Sequence, residues 1–305
     1  MKILVTGGAG YKGVVLVKKL LERGHAVTLL DNFMYGYDSV LHLVTEPYLR
    51  IIQLDIRNLD AKLLAEFDVI YHLGAISGMP ACAANPNAAQ VINVDATRNI
   101  VASLHPDQLL IYASTTSLYG ASGADCDETV AVEPASLYAR TKYEAEKIVQ
   151  ERANSVSLRF ATVFGTSPKF RPDLLVNDFT YKAVNDRSLV LFGGRSKRTF
   201  MHILDAIEGY LFVLDHTEAM RGKVFNVGDE NLNFSKLDIA EAIHSHVKFE
   251  IVDSSLPDLD VRDFLVSFMS IRDLGFKTRL TLDEGIMDLL RLYSFYKVYS
   301  PFNVI

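Results

Sequence analysis

Short hydrophobic runs alternate with longer amphipathic segments along the first half of the chain. The runs are rich in β-branched residues and predict strands at 2–6, 26–30, 49–54, 68–73, 108–113 and 156–160. Between them, hydrophobic residues recur at helical spacing and predict helices at 13–24, 84–104 and 136–153. Strands that alternate with helices are typical of βαβ units, in which a parallel sheet is covered on both faces. The pattern therefore predicts an α/β fold.

The pattern becomes less regular after residue 165. Glycine and proline interrupt the hydrophobic periodicity there, at Gly165, Pro168, Pro172, Gly193 and Gly194. We therefore predict a first domain at 1–165 and a smaller α/β lobe at 166–305. A buried-strand pattern at 224–228 leaves open a return of the segment 198–228 to the first domain.

The composition is that of a globular protein. Hydrophobic residues make up 49% of the 305 residues and charged residues 22%, which excludes a disordered or coiled-coil chain. The net charge is −6, and no basic run suits a nucleic-acid backbone. No stretch approaches the roughly 20 apolar residues of a membrane span, and no signal peptide opens the chain. We expect a cytoplasmic protein that binds neither nucleic acid nor membrane.

The cysteines and histidines do not follow the spacing of metal ligands. Cys82 and Cys126 are too few for a disulfide framework, so we expect two thiols, with Cys126 exposed in a polar run. The eight histidines are scattered along the chain. The sequence therefore predicts no metal site.

A glycine-rich segment, TGGAGYKG at 6–13, lies between the first predicted strand and the first predicted helix. Gly7 suits a tight turn, Gly10 permits close approach of the backbone to a phosphate, and Gly13 permits close packing of the helix on the sheet. In this context the turn predicts a pyrophosphate site at a helix N-terminus. Lys12 either adds positive charge near the pyrophosphate or faces solvent.

Asp31 ends the second predicted strand, 24 residues after Gly7. A carboxylate at this place can accept hydrogen bonds from both hydroxyls of the adenosine ribose and would repel a 2′-phosphate. The residues that follow, Asn32, Phe33 and Met34, include no arginine that could receive such a phosphate. The two features together predict a Rossmann-type doubly wound parallel sheet that binds NAD in preference to NADP.

Tyr138 and Lys142 lie four residues apart in the segment YARTK, on one face of a predicted helix. An ammonium close to a phenol stabilises the phenolate, so we expect a lowered pKa that makes Tyr138 a general base. A hydroxyl-rich segment, YASTTSLYG at 112–120, leaves the carboxyl end of the preceding strand. Tyrosine and lysine at this spacing also occur by chance on solvated helices, and the hydroxyl cluster favours the catalytic interpretation.

Nearly the whole chain resembles an extended short-chain dehydrogenase/reductase of the nucleotide-sugar epimerase and dehydratase type. The matching motifs include TGGAGYKG, HLGA (72–75), NVDAT (93–97), ASTTSLYG (113–120), YARTK, LRFATVFG (158–165), RTFMHILD (198–205) and FNVGD (225–229). The resemblance implies that Thr115, Tyr138 and Lys142 are catalytic and that the last two also bind the cofactor. It further implies that NAD is bound by Tyr11, Lys12, Asn32, Asp55, Ile56, Leu73, Gly74, Ala75 and Asn93, in addition to Gly7, Gly10, Gly13 and Asp31. Without the resemblance, the residues themselves would predict a helix N-cap for Asp55 and an exposed polar position on a helix for Asn93.

The resemblance also implies a nucleoside-diphosphate sugar as substrate, held by the second lobe. Arg198 and Arg262 occupy the positions of arginines that bind the diphosphate, and Thr115, Thr162 and Asn177 are expected to face the sugar or its phosphates. By contrast, we expect His202 to be a packed structural histidine. The two long helices at 84–104 and 136–153 are expected to pair with a second copy in a homodimer.

The implied chemistry is oxidation of the sugar at C4. Dehydratases of this family follow the catalytic threonine with an aspartate and a glutamate, whereas this chain has Thr116 and Ser117, whose hydroxyls are poor acids and bases near neutral pH. Elimination across C5 and C6 is therefore disfavoured. A nucleotide-sugar 4-epimerase is favoured by analogy, and a 4-dehydrogenase that releases the 4-keto sugar remains the alternative. An NAD-sensing regulatory protein would not need the catalytic trio, and a structural scaffold has no supporting motif.

Overall fold

The chain folds into a large parallel sheet with helices on both faces and a smaller lobe beside it. The computed structural model describes residues 1–121, 125–256 and 262–297. In these residues the strands are β1 (Lys2–Thr6), β2 (Ala26–Asp31), β3 (Leu49–Gln53), β4 (Val69–His72), β5 (Leu109–Thr115), β6 (Asp125–Cys126), β7 (Ser155–Phe160), β8 (Thr162–Phe164), β9 (Ser188–Phe192), β10 (Lys197–His202), β11 (Lys223–Val227), β12 (Asn233–Ser235), β13 (Glu250–Ser254) and β14 (Leu265–Val266). The helices are α1 (Gly13–Glu22), α2 (Ala61–Leu64), α3 (Met79–Ala84), α4 (Pro86–Gln90), α5 (Ala96–Ser103), α6 (Leu137–Gln150), α7 (Leu175–Asn185), α8 (Ile203–Asp215), α9 (Thr217–Met220), α10 (Lys236–His246), α11 (Met269–Asp273) and α12 (Leu282–Tyr293).

The large sheet has the strand order β11-β7-β5-β4-β1-β2-β3, and every neighbouring pair is parallel. The order reverses between β1 and β4, where Thr6 is in register with His72. Ligands of doubly wound sheets bind in the crevice at the carboxyl ends of the strands on either side of such a reversal. The predicted Rossmann-type fold is confirmed, and the six strands predicted in the first half are present within two residues of their predicted bounds.

The helix predicted at 84–104 is wrong at its start. α3 ends at Ala84, and Asn85 leaves the helical conformation with φ −140°. The side chain of Asn85 then caps α4 by accepting a hydrogen bond from the Ala88 N–H, and Pro86 occupies the first turn of the new helix. The α conformation is disfavoured for a residue that precedes proline, and this explains the break at Asn85. α4 then continues through a π-helical turn at Val91–Asp95 into α5.

The smaller lobe contains a three-stranded sheet of order β12-β10-β8 and the pair β13-β9. Helices α7, α10 and α12 cover a separate hydrophobic core that includes Phe164, Leu191 and Ile286. The chain returns to the large sheet at β11, which pairs with β7 at its edge. His202 caps α8, because its Nδ1 accepts a hydrogen bond from the Leu204 N–H at 3.3 Å, and it is buried as expected for a structural histidine.

The expected exposure of Cys126 is wrong. The residue lies in β6, which pairs with β14, and it is fully buried in the large hydrophobic core. The strand consists of Asp125 and Cys126 alone, and of the two only the polar Asp125 is exposed. In the described part of the chain, no helix is long and apolar enough to cross a bilayer, and no three histidine, cysteine or acidic residues are grouped to hold a metal ion.

Candidate active site

The loop between β1 and α1 forms a close turn against the end of β4. Gly7 has φ +67°, and a Cβ on it would lie 2.8 Å from the backbone of Gly74. A Cβ on Gly13 would lie 2.2 Å from the carbonyl oxygen of Gly7. Any side chain at these two positions would therefore fill the turn or push α1 away from the sheet. The turn leaves the N-terminus of α1 open toward the crevice, where it can receive a pyrophosphate.

Asp31 lies at the carboxyl end of β2 beside this turn. Its Oδ2 accepts a hydrogen bond from the Ala9 N–H at 3.1 Å, and its Oδ1 accepts one from the Phe33 N–H at 2.9 Å. Burial raises the pKa of Asp31, whereas these backbone donors and the nearby Lys169 oppose the shift. The carboxylate thus joins the glycine turn to the segment after β2, and it faces the crevice at the carboxyl ends of the strands.

A cavity, named the cofactor cavity below, runs along the carboxyl ends of β1, β2 and β4. Twelve of the residues predicted to bind NAD line it: Gly7, Gly10, Tyr11, Lys12, Gly13, Asp31, Asn32, Asp55, Ile56, Leu73, Gly74 and Ala75. Asp55 has the N-cap role read from the sequence, because it accepts the Arg57 N–H, and its Oδ2 also accepts from Asn32 Nδ2 at 3.4 Å. A glycine turn, a carboxylate at the end of β2 and a helix N-terminus are the groups that a dinucleotide requires, so the residues present fit NAD.

Asn93 is not among the residues that line this cavity, and its expected part in the NAD site stays a prediction. The side chain is 1% exposed, and its amide bonds both the N–H and the carbonyl of Ile76, at 2.8 and 3.1 Å. Its Nδ2 also donates to Thr141 Oγ1 at 3.1 Å. Asn93 therefore fixes the loop after β4 to helix α6 and supports the cavity wall from behind.

A second cavity of about 890 Å³ opens between the two lobes and contains part of the predicted catalytic trio. Thr115 ends β5, and Tyr138 lies in the first turn of α6, which Ser136 caps by accepting the Ala139 N–H. Both side chains line this cavity. Lys142 lies one turn farther along α6 and is 3% exposed, behind the cavity wall, with its Nζ 4.0 Å from the centre of the Tyr112 ring.

The pKa of Tyr138 differs in direction from the expectation. Burial raises it, while the hydroxyls of Ser77 and Thr115 and the charge of Arg171 lower it by less. The pKa of Lys142 is itself lowered to about 7, first by burial and then by the charge of Lys12. Burial, rather than the charge of Lys142, thus determines the direction in which the pKa of the phenol shifts.

Lys12 does not extend freely into solvent, and its place near a pyrophosphate stays a prediction. Its side chain lines both cavities, and its Nζ lies 4.2 Å from the centre of the Phe160 ring and 5.4 Å from that of Tyr210. Burial lowers the pKa of Lys12 to about 7. The ammonium thus points into the protein, toward the end of β7.

Three of the residues predicted only for the substrate line the second cavity, namely Thr162, Arg198 and Arg262. Arg198 is 3% exposed on β10, and Arg262 Nη1 donates to Ser117 Oγ at 3.1 Å. The two guanidinium groups come from different segments of the smaller lobe and meet at one cavity. This arrangement suits a diphosphate, which binds bidentate arginine donors well.

Asn177 is not among the residues that line the second cavity, and its expected place facing the sugar or its phosphates stays a prediction. It is fully buried, and its Oδ1 accepts from the Gly165 N–H at 3.0 Å. Its Nδ2 donates to the carbonyls of Gly165 and Arg171, at 3.3 and 2.9 Å. Asn177 therefore holds the loop between β8 and α7 in place.

That loop carries a residue that the sequence analysis missed. Arg171 lines both cavities and donates to both carboxylate oxygens of Asp173, at 2.7 and 2.6 Å. Ser77, in the loop after β4, also lines both. Neither residue lies in a periodic segment, and the only local signal is an arginine and an aspartate on either side of Pro172.

Comparison with known proteins agrees with this geometry. The model of the NAD dependent epimerase/dehydratase family matches residues 3–228. A Bacillus subtilis (strain 168) protein described as an uncharacterized UDP-glucose epimerase is 32% identical over 247 residues, covering 75% of this chain and 77% of its own. UDP-glucuronate 4-epimerase 1 from Arabidopsis thaliana is 28% identical over 342 residues, covering 98% and 78%.

A solved structure has a similar fold over almost the whole chain. The UDP-glucuronic acid 4-epimerase from Bacillus cereus, crystallised with UDP-glucuronic acid and NAD, superposes with a TM-score of 0.85 at 26% identity, covering 96% of this chain and 99% of that one. The predictions of an enzyme and of NAD as its cofactor are confirmed by the family and by this neighbour. The chain belongs to the NAD dependent epimerase/dehydratase family.

Proposed function

We propose that the protein is a nucleotide-sugar 4-epimerase that acts on a UDP-hexose or a UDP-uronic acid. The observation that carries the proposal is the position of Thr115 and Tyr138, which line the second cavity close to its meeting with the cofactor cavity. The similar proteins described as epimerases of UDP-glucose and UDP-glucuronate support the substrate class. NAD held by the glycine turn and Asp31 would supply the hydride acceptor and donor that oxidation and reduction at C4 of the sugar require.

The side chains of the chain have distinct roles in this proposal. Tyr138 takes the proton of the C4 hydroxyl on its Oη, and Thr115 Oγ1 donates a hydrogen bond to the same sugar oxygen as it becomes a carbonyl. Arg171 and the neighbouring hydroxyl of Ser77 favour the phenolate against the effect of burial. Lys142, one turn farther along α6, reaches the nicotinamide ribose in our proposal. Arg198 and Arg262 hold the diphosphate.

The residues after Thr115 argue against a dehydratase. Thr116 Oγ1 donates to the carbonyl of Phe160 at 3.2 Å and is buried, and Ser117 Oγ accepts from Arg262. Neither side chain is a carboxyl group that could act as acid or base in an elimination. Between epimerase and 4-dehydrogenase, the similar proteins described as epimerases favour the epimerase. The volume of the second cavity lies within the roughly 300–1,000 Å³ that ligand cavities have.

The proposal extends to a homodimer in the cytoplasm. Helices α5 and α6 lie side by side at the surface, joined by Arg98 and Glu144 at 3.7 Å, and could pair with their copies as a four-helix bundle. Two buried thiols, Cys82 and Cys126, fit a reducing compartment. Light scattering after size exclusion tests the dimer, and a monomeric mass would contradict it. Cell fractionation tests the compartment.

The test is product analysis by NMR with UDP-glucose and UDP-glucuronate. We expect the C4 epimer to form, and Tyr138→Phe to lower kcat by about 10²–10⁴-fold, the usual contribution of a general base, while NAD binding is retained. Tyr143→Phe, on the same helix but lining neither cavity, is the matched control. A wild-type protein that converts neither sugar, or a Tyr138→Phe variant as active as the control, would refute the proposal. Accumulation of a 4-keto sugar would instead identify a 4-dehydrogenase.

A further inference from the structure

Four residues line both cavities and thereby define the junction between them. They are Tyr11, Lys12, Ser77 and Arg171. Hydride transfer needs the reacting carbons of cofactor and sugar in contact, so these carbons have to meet where the two cavities join. A charge fixed at the junction therefore acts on the cofactor in both of its oxidation states.

Lys12 is a cation of the junction with which no carboxylate of the described residues pairs. Arg171 is paired with Asp173 through two hydrogen bonds. By contrast, the Nζ of Lys12 forms no hydrogen bond or ion pair within the described part of the chain, and it lies over the rings of Phe160 and Tyr210. Aromatic faces stabilise a cation without neutralising it.

We propose that Lys12 raises the reduction potential of the bound NAD and so favours the oxidised sugar intermediate. The inference rests on the proposed function, because that function places the nicotinamide ring at the junction. The oxidised ring carries a positive charge that the hydride removes, so a nearby ammonium destabilises NAD⁺ relative to NADH. At an effective dielectric constant near 20, charges within ~10 Å of each other repel enough to shift such an equilibrium about tenfold.

The expected effect is measured as a ratio of two dissociation constants, without any sugar. NADH is titrated by its fluorescence, and NAD⁺ by calorimetry, at about pH 6. This pH lies below the pKa of about 7 of both Lys12 and Lys142, so both amines are mostly protonated and removal of one changes the charge of the other little. We expect Lys12→Met to lower the ratio of the NAD⁺ and NADH dissociation constants about tenfold. For a two-electron couple, this corresponds to about 30 mV.

Two further variants make the result specific. Lys12→Arg keeps the charge and is expected to keep the wild-type ratio, whereas Lys18→Met removes an exposed amine of the same helix and is expected to change nothing. Lys12→Gln repeats the test if the methionine variant fails to fold. An unchanged ratio in a folded Lys12 variant would overturn the inference and leave the proposed function intact. Failure of the wild type to epimerise any UDP-sugar would refute the proposed function and leave the measured ratio valid.

Discussion

The buried ion pair between Glu146 and Arg159 supports the sheet directly behind Thr115. Arg159 donates from Nη2 to Glu146 Oε1 at 2.7 Å and from Nε to both carboxylate oxygens, while Ser114 Oγ donates to Oε2 at 2.5 Å. The side chain of Arg159 is 6% exposed and that of Glu146 is 3% exposed. Glu146→Gln would leave a guanidinium buried without its counter-charge. We therefore predict a loss of about 3–5 kcal/mol in the free energy of unfolding, the usual cost of breaking a buried pair.

The assay is urea unfolding followed by far-UV circular dichroism, because the chain has no tryptophan. The matched control is Glu66→Gln, which breaks the ion pair between Glu66 and Arg50. This pair has a similar distance of 2.8 Å, but the side chains of Arg50 and Glu66 are 56% and 48% exposed. An exposed pair contributes less than about 1 kcal/mol, so the control should unfold close to the wild type.

A double variant separates the unpaired charge from other causes. Glu146→Leu combined with Arg159→Met removes both charges, and we expect it to recover most of the lost stability, because apolar side chains of similar volume often replace a buried pair without loss. If Glu146→Gln unfolds at the same urea concentration as the control, the assigned cost is wrong. If the double variant is as unstable as the single one, lost packing rather than an unpaired charge is responsible.

Three further predictions concern ligands and pH. Asp31→Asn should reduce discrimination against NADP at least about tenfold, measured as the ratio of NADP and NAD dissociation constants, because the repulsion of a 2′-phosphate is lost; an unchanged ratio would contradict the ribose contact. Arg198→Ala should raise KM for the UDP-sugar with little effect on NAD affinity, and equal loss of both would contradict a diphosphate contact. The pKa values of Lys12 and Lys142 fall from 10.5 in the unfolded chain to about 7 in the folded one, so the unfolded state binds more protons above pH 7. The free energy of unfolding should then rise between about pH 7 and 9, by roughly 1 kcal/mol per pH unit for each lysine, and urea midpoints that stay flat would exclude it.

The sequence predicts the parts of this protein that are determined locally. Hydrophobic runs of β-branched residues identify β1 to β5 and β7, because a parallel strand buried on both faces requires them. The glycine spacing identifies the turn at Gly7 and Gly13, where the space left in the structure admits no side chain. Asp31 follows from its place at the end of β2. In each case a short segment contains the whole physical requirement.

The remaining features depend on contacts between distant segments. Asn93 and Asn177 are polar residues of helices, and only the folded chain shows that their amides bond the backbone at Ile76 and Gly165. Arg171 lies in an aperiodic loop whose course is determined by packing between the lobes. The pKa of Tyr138 could not be predicted from its spacing to Lys142, because burial outweighs the nearby charge.

The position of Lys12 is unfavourable for the stability of the fold, and this conflict is itself informative. Its ammonium lies against Phe160 and Tyr210 in a buried region where a methionine or a leucine would pack without the cost of desolvating a charge. Sequences are locally consistent with their folds except where function requires otherwise. Lys12→Met should therefore raise the free energy of unfolding below about pH 7 while it weakens the preference for NADH. If the substitution destabilised the protein, Lys12 would be a structural residue and its place at the junction would need no functional explanation.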